Sequence, residues 1–205
     1  MASNLMPVDG HLQRLPIQDA DVFYLRRVEL SRSHAEILQW LIAEVPWRAE
    51  EVMVWGRTVL QPRLTAWYGD AGRSYAYSGI LLRPLPWTPL LLEIKRSVEA
   101  VAGSAFNSVL LNYYRDNRDS IGFHSDDERE LGLRPVIGSL SLGAERILTF
   151  KHKRLKQAEP VRLRLPSGSL LLMCGKTQDC WRHGIAKESR PCGPRVNLTF
   201  RAIID

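Results

Sequence analysis

From Phe106 to the C-terminus the sequence breaks into short runs that read as strands, with turn signals between many of them. The candidates are Phe106–Tyr114, Gly122–Asp126, Val136–Leu142, Arg146–Lys151, Val161–Leu165, Ser169–Met173, Trp181–Ile185 and Val196–Ile204. Two helices precede them. Ser33-His34-Ala35-Glu36 is a capping box that opens a helix with apolar positions Ile37, Leu38, Leu41, Ile42 and Val45, and Pro46 ends it. Thr88-Pro89 supplies an N-cap followed by proline at the first helical position, and Gly103 is the residue that closes this second helix. Eight short strands after two helices predict an antiparallel double-sheet jelly roll, α+β but mainly β, with the N-terminal helices buttressing one face.

No internal repeat and no linker divides the chain, so residues 1–205 are expected to form one domain with its roll core over 106–204. Residues 1–20 are mixed and proline-punctuated, and are expected to be a loosely held arm. Asp21–Leu25 is a short strand candidate. The stretch 47–87 reads as short strands and turns rich in aromatics, with a hairpin tip in Val52–Arg57. His34, in the first turn of its helix, is expected at the surface.

The net charge of +6 and the pI near 9.5 favour a polyanionic partner. Cys174, Cys180 and Cys192 are odd in number and form no CxxC pair, which argues against a disulfide framework or a zinc site and for a reducing compartment. No apolar run approaches the length of a membrane span, and no apolar leader opens the chain. These features predict a soluble intracellular monomer, cytoplasmic in a bacterium or nuclear in a eukaryote, with no membrane partner.

His124 and Asp126 stand two apart, so on an extended strand they face the same way. With a second histidine from a distant strand, for which His183 is the best candidate, they would form a facial triad with open positions. That pattern suits a non-haem Fe(II) oxygenase. By itself His-x-Asp is more often only a hydrogen-bonded surface pair. In Arg195–Arg201 the residues alternate strictly: Arg195, Asn197, Thr199 and Arg201 on one face, Val196, Leu198 and Phe200 on the other. The apolar face is expected to pack under helices or a second sheet. The polar face is either a solvated edge or a site for a dicarboxylate, which arginine grips in a charge-assisted fork.

His124-x-Asp126, His183 and Arg195-x-Asn197-x-Thr199-Phe200-Arg201, in that order, resemble the AlkB family of Fe(II)- and 2-oxoglutarate-dependent nucleic-acid dealkylases. The resemblance extends to Leu111-Asn112-Tyr113-Tyr114, to Pro62–Gly69 and to Tyr75-x-Tyr77-Ser78-Gly79, and is nearest to the homologues that repair alkylated DNA. It implies the double-stranded β-helix fold, with Fe(II) on His124, Asp126 and His183, and 2-oxoglutarate and O₂ as co-substrates. It implies that Asn112, Tyr114, Arg195, Asn197 and Arg201 bind 2-oxoglutarate, Arg195 with Tyr114 at the far carboxylate and Arg201 at the iron-proximal end. Thr199 shares their face. The implied reaction is oxidative demethylation of bases such as 1-methyladenine and 3-methylcytosine in DNA. It releases formaldehyde and converts 2-oxoglutarate and O₂ to succinate and CO₂.

A base inside a duplex must be flipped out to react. Tyr75 and Tyr77 alternate so as to present their side chains on one face, and the resemblance makes Tyr77 the ring that stacks on the lesion. It makes Glu128 the reader of the exocyclic amine, and places Arg63 and Trp55 in the nucleotide-recognition region over 47–87. Trp55 is either a wedge at the hairpin tip or an ordinary buried tryptophan. RNA is an alternative substrate. An oxygenase of the same fold acting on protein or a small molecule, and an inactive nucleic-acid-binding module, are the rival classes. Lys151–Lys156 is a basic run in a turn, either solvated or in contact with phosphates.

Overall fold

The alternation of Arg195–Arg201 places that strand inside the larger of two facing sheets, and its two faces define the two halves of the core. The computed structural model describes residues 4–5, 11–54, 57–72, 75–77, 80–82 and 84–204. The larger sheet has seven strands, in the order Gln13–Arg14, Asp21–Leu25, Leu170–Cys174, Ile137–Gly143, Arg195–Arg201, Ser108–Tyr114 and Leu64–Gly69. Every neighbouring pair in it is antiparallel. The smaller sheet has five, in the order Asn4–Leu5, Val161–Leu165, Arg146–His152, Trp181–Ile185 and Ile121–His124. This is the jelly roll that the strand spacing predicts, and the eight expected strands lie within a few residues of the observed ones.

Val196, Leu198 and Phe200 are fully buried in a cluster with Ile37 and Leu41 of helix His34–Glu44 and Leu91, Ile94 and Val98 of helix Pro89–Ala102. Burying a side chain of this size stabilises the fold by about 1.5–3 kcal/mol, so this face fixes the strand's register. The helices begin and end as their sequences direct. The Ser33 and Glu36 side chains each accept from the other residue's backbone N–H, at 3.2 and 3.0 Å. Gly103 adopts φ 62°, a left-handed conformation that suits glycine, and its N–H donates to Glu99 O at 2.9 Å. Between the sheets lies the second cluster, with Ile137, Leu171, Phe150, Leu163 and Trp181 at its centre. Among the described residues no helix is long and apolar enough to cross a membrane.

Three expectations are corrected. The described part of the N-terminal segment is not a loose arm, because Leu15, Ile17 and Ala20 are buried in the inter-sheet cluster. Asp21–Leu25 pairs with Leu170–Cys174, which would otherwise be an open edge, and draws the preceding residues onto the core. The roll is also not confined to 106–204, since Leu64–Gly69, within 47–87, pairs with Ser108–Tyr114 in the larger sheet. Finally, His34 is buried rather than at the surface. Its Nε2 lies 2.9 Å from Val28 O and its ring sits against Gly168. At Gly168 (φ +87°) any Cβ would collide with that ring.

Candidate active site

His124 and His183 are direct cross-strand partners on Ile121–His124 and Trp181–Ile185, which brings their ring centroids to 4.4 Å. The chain then turns into the cavity at Asp126. One ligand atom from each of His124, Asp126 and His183 lies within 4.8 Å of the others. The triad read from i, i+2 spacing plus one distant histidine therefore converges, although Asp126 lies just past the end of the strand.

Each member is prepared in a different way. His124 Nδ1 is 3.0 Å from Gly122 O, and since a carbonyl only accepts, that nitrogen is the donor and Nε2 is the nitrogen left to face a metal. Burial pushes His183 down to about 4, against the pull of Asp126, so its imidazole is neutral at neutral pH and can ligate without expelling a proton. Burial would push the Asp126 carboxyl up, but the Arg201 guanidinium outweighs it with help from the two imidazoles and holds it at about 2. Arg201 donates to Asp126 Oδ1. Asp126 Oδ2 has no hydrogen-bond partner among the described residues, and it faces His183 Nε2 at 3.5 Å. A buried carboxylate oxygen left without a donor fits a cation.

The polar face of Arg195–Arg201 is buried, which removes the solvated-edge reading. It forms part of the wall of a cavity of about 590 Å³ between the two sheets. Asn112, Tyr114, Arg195, Asn197, Thr199 and Arg201 all line it, as do Arg63 and Glu128. Arg195 donates to Ser141 Oγ at 3.0 Å and stacks on the Tyr114 ring at 4.9 Å. Its Nε and Nη1 have no hydrogen-bond partner among the described residues. Burial lowers its pKa, yet a guanidinium stays charged in a protein. A buried cation with two unanswered N–H groups fits a carboxylate. Asn197 is held at both ends, donating to Ser139 Oγ at 2.8 Å and accepting from Thr199 Oγ1 at 2.9 Å.

Elsewhere on the cavity wall, Glu128 Oε2 is buried without a partner among the described residues. Arg63 is also buried, and its Nε donates to Asn112 Oδ1 at 2.7 Å, so it braces another lining residue of the cavity. Glu51–Val54 and Arg57–Leu60 form the expected hairpin, and Trp55 lies outside the described residues. Tyr75–Tyr77 forms a strand paired with Ile80–Leu82, and the side chains of Tyr75 and Tyr77 lie outside the described set. His152, in the basic run, is outside this cluster. Its Nδ1 accepts from the backbone N–H of Arg154 and Leu155, and its ring packs edge-on against Trp181.

Sequence reading missed Arg146 and Gln178. Arg146 is fully buried and donates to the carbonyls of Asp116, Asp119 and Ala186, beneath the Tyr114 ring. Gln178 accepts from the backbone N–H of Asp126. Neither stands in a pattern that marks its role, since both act on backbone groups supplied by distant loops.

A jelly roll with a His-Asp-His cluster facing a buried arginine defines a class, and residues 21–201 match the model of the 2OG-Fe(II) oxygenase superfamily. The chain is 44% identical over 178 residues to human "DNA oxidative demethylase ALKBH2", covering 82% of this chain and 68% of the relative. It is 42% identical over 175 residues to bovine "Alpha-ketoglutarate-dependent dioxygenase alkB homolog 3", covering 82% and 60%. The chain belongs to the AlkB family. It spans about 60% of the length of the first curated relatives it matches. The solved structure of OsALKBH1 shares the fold, with a TM-score of 0.63 over 94% of this chain and 100% of that one, at 15% identity.

Proposed function

We propose that this protein is an Fe(II)- and 2-oxoglutarate-dependent dioxygenase that demethylates alkylated bases, of the 1-methyladenine and 3-methylcytosine type, in DNA. One observation carries the reading: the His124–Asp126–His183 cluster, with an unpartnered carboxylate oxygen, shares a cavity with Arg195, whose guanidinium has two unanswered N–H groups. The relatives named as DNA oxidative demethylases support DNA as the substrate.

In this reading His124 Nε2, Asp126 Oδ2 and His183 Nε2 hold Fe(II). Arg195, oriented by Tyr114 and Ser141, takes the far carboxylate of 2-oxoglutarate. Asn112, Asn197 and Thr199 shape the pocket between, and Arg201 keeps the Asp126 carboxylate aimed while serving the iron-proximal end. Bound Fe(II), with 2-oxoglutarate and O₂, supplies the oxidant that hydroxylates the N-methyl carbon, so that formaldehyde leaves and succinate and CO₂ are formed. The segment 47–87 recognises the nucleotide. Tyr75 and Tyr77 stack on the flipped base, Trp55 fills the gap it leaves, Arg63 backs the pocket and Glu128 accepts from the exocyclic amine.

Mass spectrometry of oligonucleotides carrying single methylated bases, with Fe(II) and 2-oxoglutarate, tests this. Loss of one methyl group, matched by succinate, is expected on single- or double-stranded DNA. Matched RNA oligonucleotides belong in the same experiment, and demethylation confined to them would move the substrate to RNA. Succinate formed without any demethylated product would point to an oxygenase with another substrate.

A further inference from the structure

The loop that carries Asp126 is tied at three successive residues to the segment just upstream of His183. Ser125 Oγ donates to Trp181 O at 2.9 Å. The Asp126 backbone N–H donates to Gln178 Oε1 at 2.9 Å. Lys153 Nζ bridges Asp127 Oδ2 and Gln178 O, at 2.8 and 2.6 Å. Two of the three ties end on Gln178, which is only 2% exposed.

The Gln178 side chain is itself held from both sides. Its Nε2 donates to Met173 Sδ at 3.7 Å, a weak bond that still fixes which end of the amide faces Asp126. Thr177, the preceding residue and fully buried, accepts from Asp21 N at 3.0 Å and so anchors this short helix to the larger sheet. Gln178 therefore presents a rigid acceptor to a buried N–H that has no other partner shown.

We infer that Gln178 is a positioning residue for the metal site: it holds the backbone of Asp126 so that Oδ2, and not the whole loop, is what responds when a cation binds. The inference rests on the metal reading of the His124–Asp126–His183 cluster. Arg201 fixes the carboxylate by Oδ1, and Gln178 fixes the main chain to which it is attached. Without the Gln178 acceptor the Asp126 N–H is left buried and unanswered. The loop then relieves that cost by moving toward water, and Oδ2 moves away from the two imidazoles.

The test compares Gln178→Leu, which deletes the acceptor, with Gln178→Glu, which keeps an oxygen at the same reach. Each full chain, stripped of metal, is titrated with Co(II), and the d–d absorption of the bound ion is followed. Loss of an outer partner of a metal ligand typically weakens metal binding about 10- to 100-fold. Gln178→Leu is expected to show a loss of that size, and Gln178→Glu to stay within a few-fold of the wild type. Equal Co(II) affinity in the wild type and Gln178→Leu, or equal loss in both variants, overturns the role of Gln178 and leaves the metal reading intact. A wild type that binds no Co(II) overturns both. Should Gln178→Leu not fold, hydrogen exchange of the wild type decides: a strongly protected Asp126 amide in the metal-free chain supports the tie, and exchange at the rate of an open loop overturns it.

Discussion

Arg201 donates to one oxygen of the Asp126 carboxylate and leaves the other turned toward His183, 3.5 Å from its Nε2. The last strand of the roll thus reaches across the cavity and aims an acid that stands 75 residues earlier in the chain. A hydrogen bond to a charged group contributes about 1.5–3 kcal/mol, or about tenfold or more in affinity. Arg201→Ala is expected to weaken Co(II) or Fe(II) binding by at least about tenfold and to raise the 2-oxoglutarate KM. Asp126→Ala and His183→Ala, which remove ligands outright, are expected to abolish succinate release in chains that circular dichroism shows to be folded. Turnover near the wild-type rate in either one would remove that residue from the site.

Arg195 makes the second prediction. It is buried, stacked on Tyr114 and held by Ser141, and its Nε and Nη1 have no hydrogen-bond partner among the described residues. Arg195→Ala is expected to cut 2-oxoglutarate affinity about tenfold or more. Co(II) affinity measured without co-substrate should stay close to the wild type, because Arg195 touches none of the three ligands in the hydrogen bonds described. Isothermal titration with each partner separates the two effects. A parallel loss of both would make Arg195 a general support of the cavity.

The proposed function gives Glu128 the part of reading the base. Its Oε2 is buried without a partner among the described residues, and a buried acceptor of this kind needs a donor, which the proposed function supplies from the base. Glu128→Ala is expected to slow demethylation of 1-methyladenine and 3-methylcytosine about tenfold more than that of methylated bases lacking an exocyclic amine. Competition assays on mixed-lesion oligonucleotides read the ratio directly. Equal slowing across both groups would mean that Glu128 orders the Asp126 loop and does not read the base.

The parts of this site that sequence reveals are those written in strand periodicity. The i, i+2 spacing of His124 and Asp126 finds the pair, although the strand ends at His124 and a turn of the chain, not the strand repeat, brings Asp126 to the same side. The apolar half of Arg195–Arg201 is buried by the helices and turns the polar half into the cavity. What periodicity does not carry is contact with distant backbone. Arg146 reads as the first residue of an ordinary strand, yet it answers three carbonyls from two loops. Gln178 sits in a four-residue helix too short to have a pattern. His34 looks solvent-facing in a capping box, but Gly168 leaves room for its ring from the other side of the fold. The burial of Leu15 and Ile17 likewise depends on which strand edge the chain meets, and that is settled only when Asp21–Leu25 adds itself to Leu170–Cys174.

The spacing of the two histidines rests on a glycine. Gly184 follows His183 in its strand, and a Cβ placed there would lie 3.0 Å from Ile121 O and 3.1 Å from Gly122 O on the neighbouring strand. Those are backbone atoms and cannot swing aside as a side chain can. Gly184→Ala therefore has to push Ile121–His124 outward, and that strand lies at the sheet edge with a register irregularity just before His124, where it yields most easily. His124 moves with it and the triad opens. Disturbing what orients a metal ligand typically costs about 10- to 100-fold in metal affinity, so a shift of a few tenths of an ångström is expected to weaken Co(II) binding by about tenfold. Gly122→Ala is the matched control, since a Cβ there meets nothing within 4 Å. Cobalt titration and thermal melts of the two variants side by side check the argument. A normal Kd in Gly184→Ala, or an equal loss in Gly122→Ala, would show that the separation of the histidines does not depend on the close approach of these two strands.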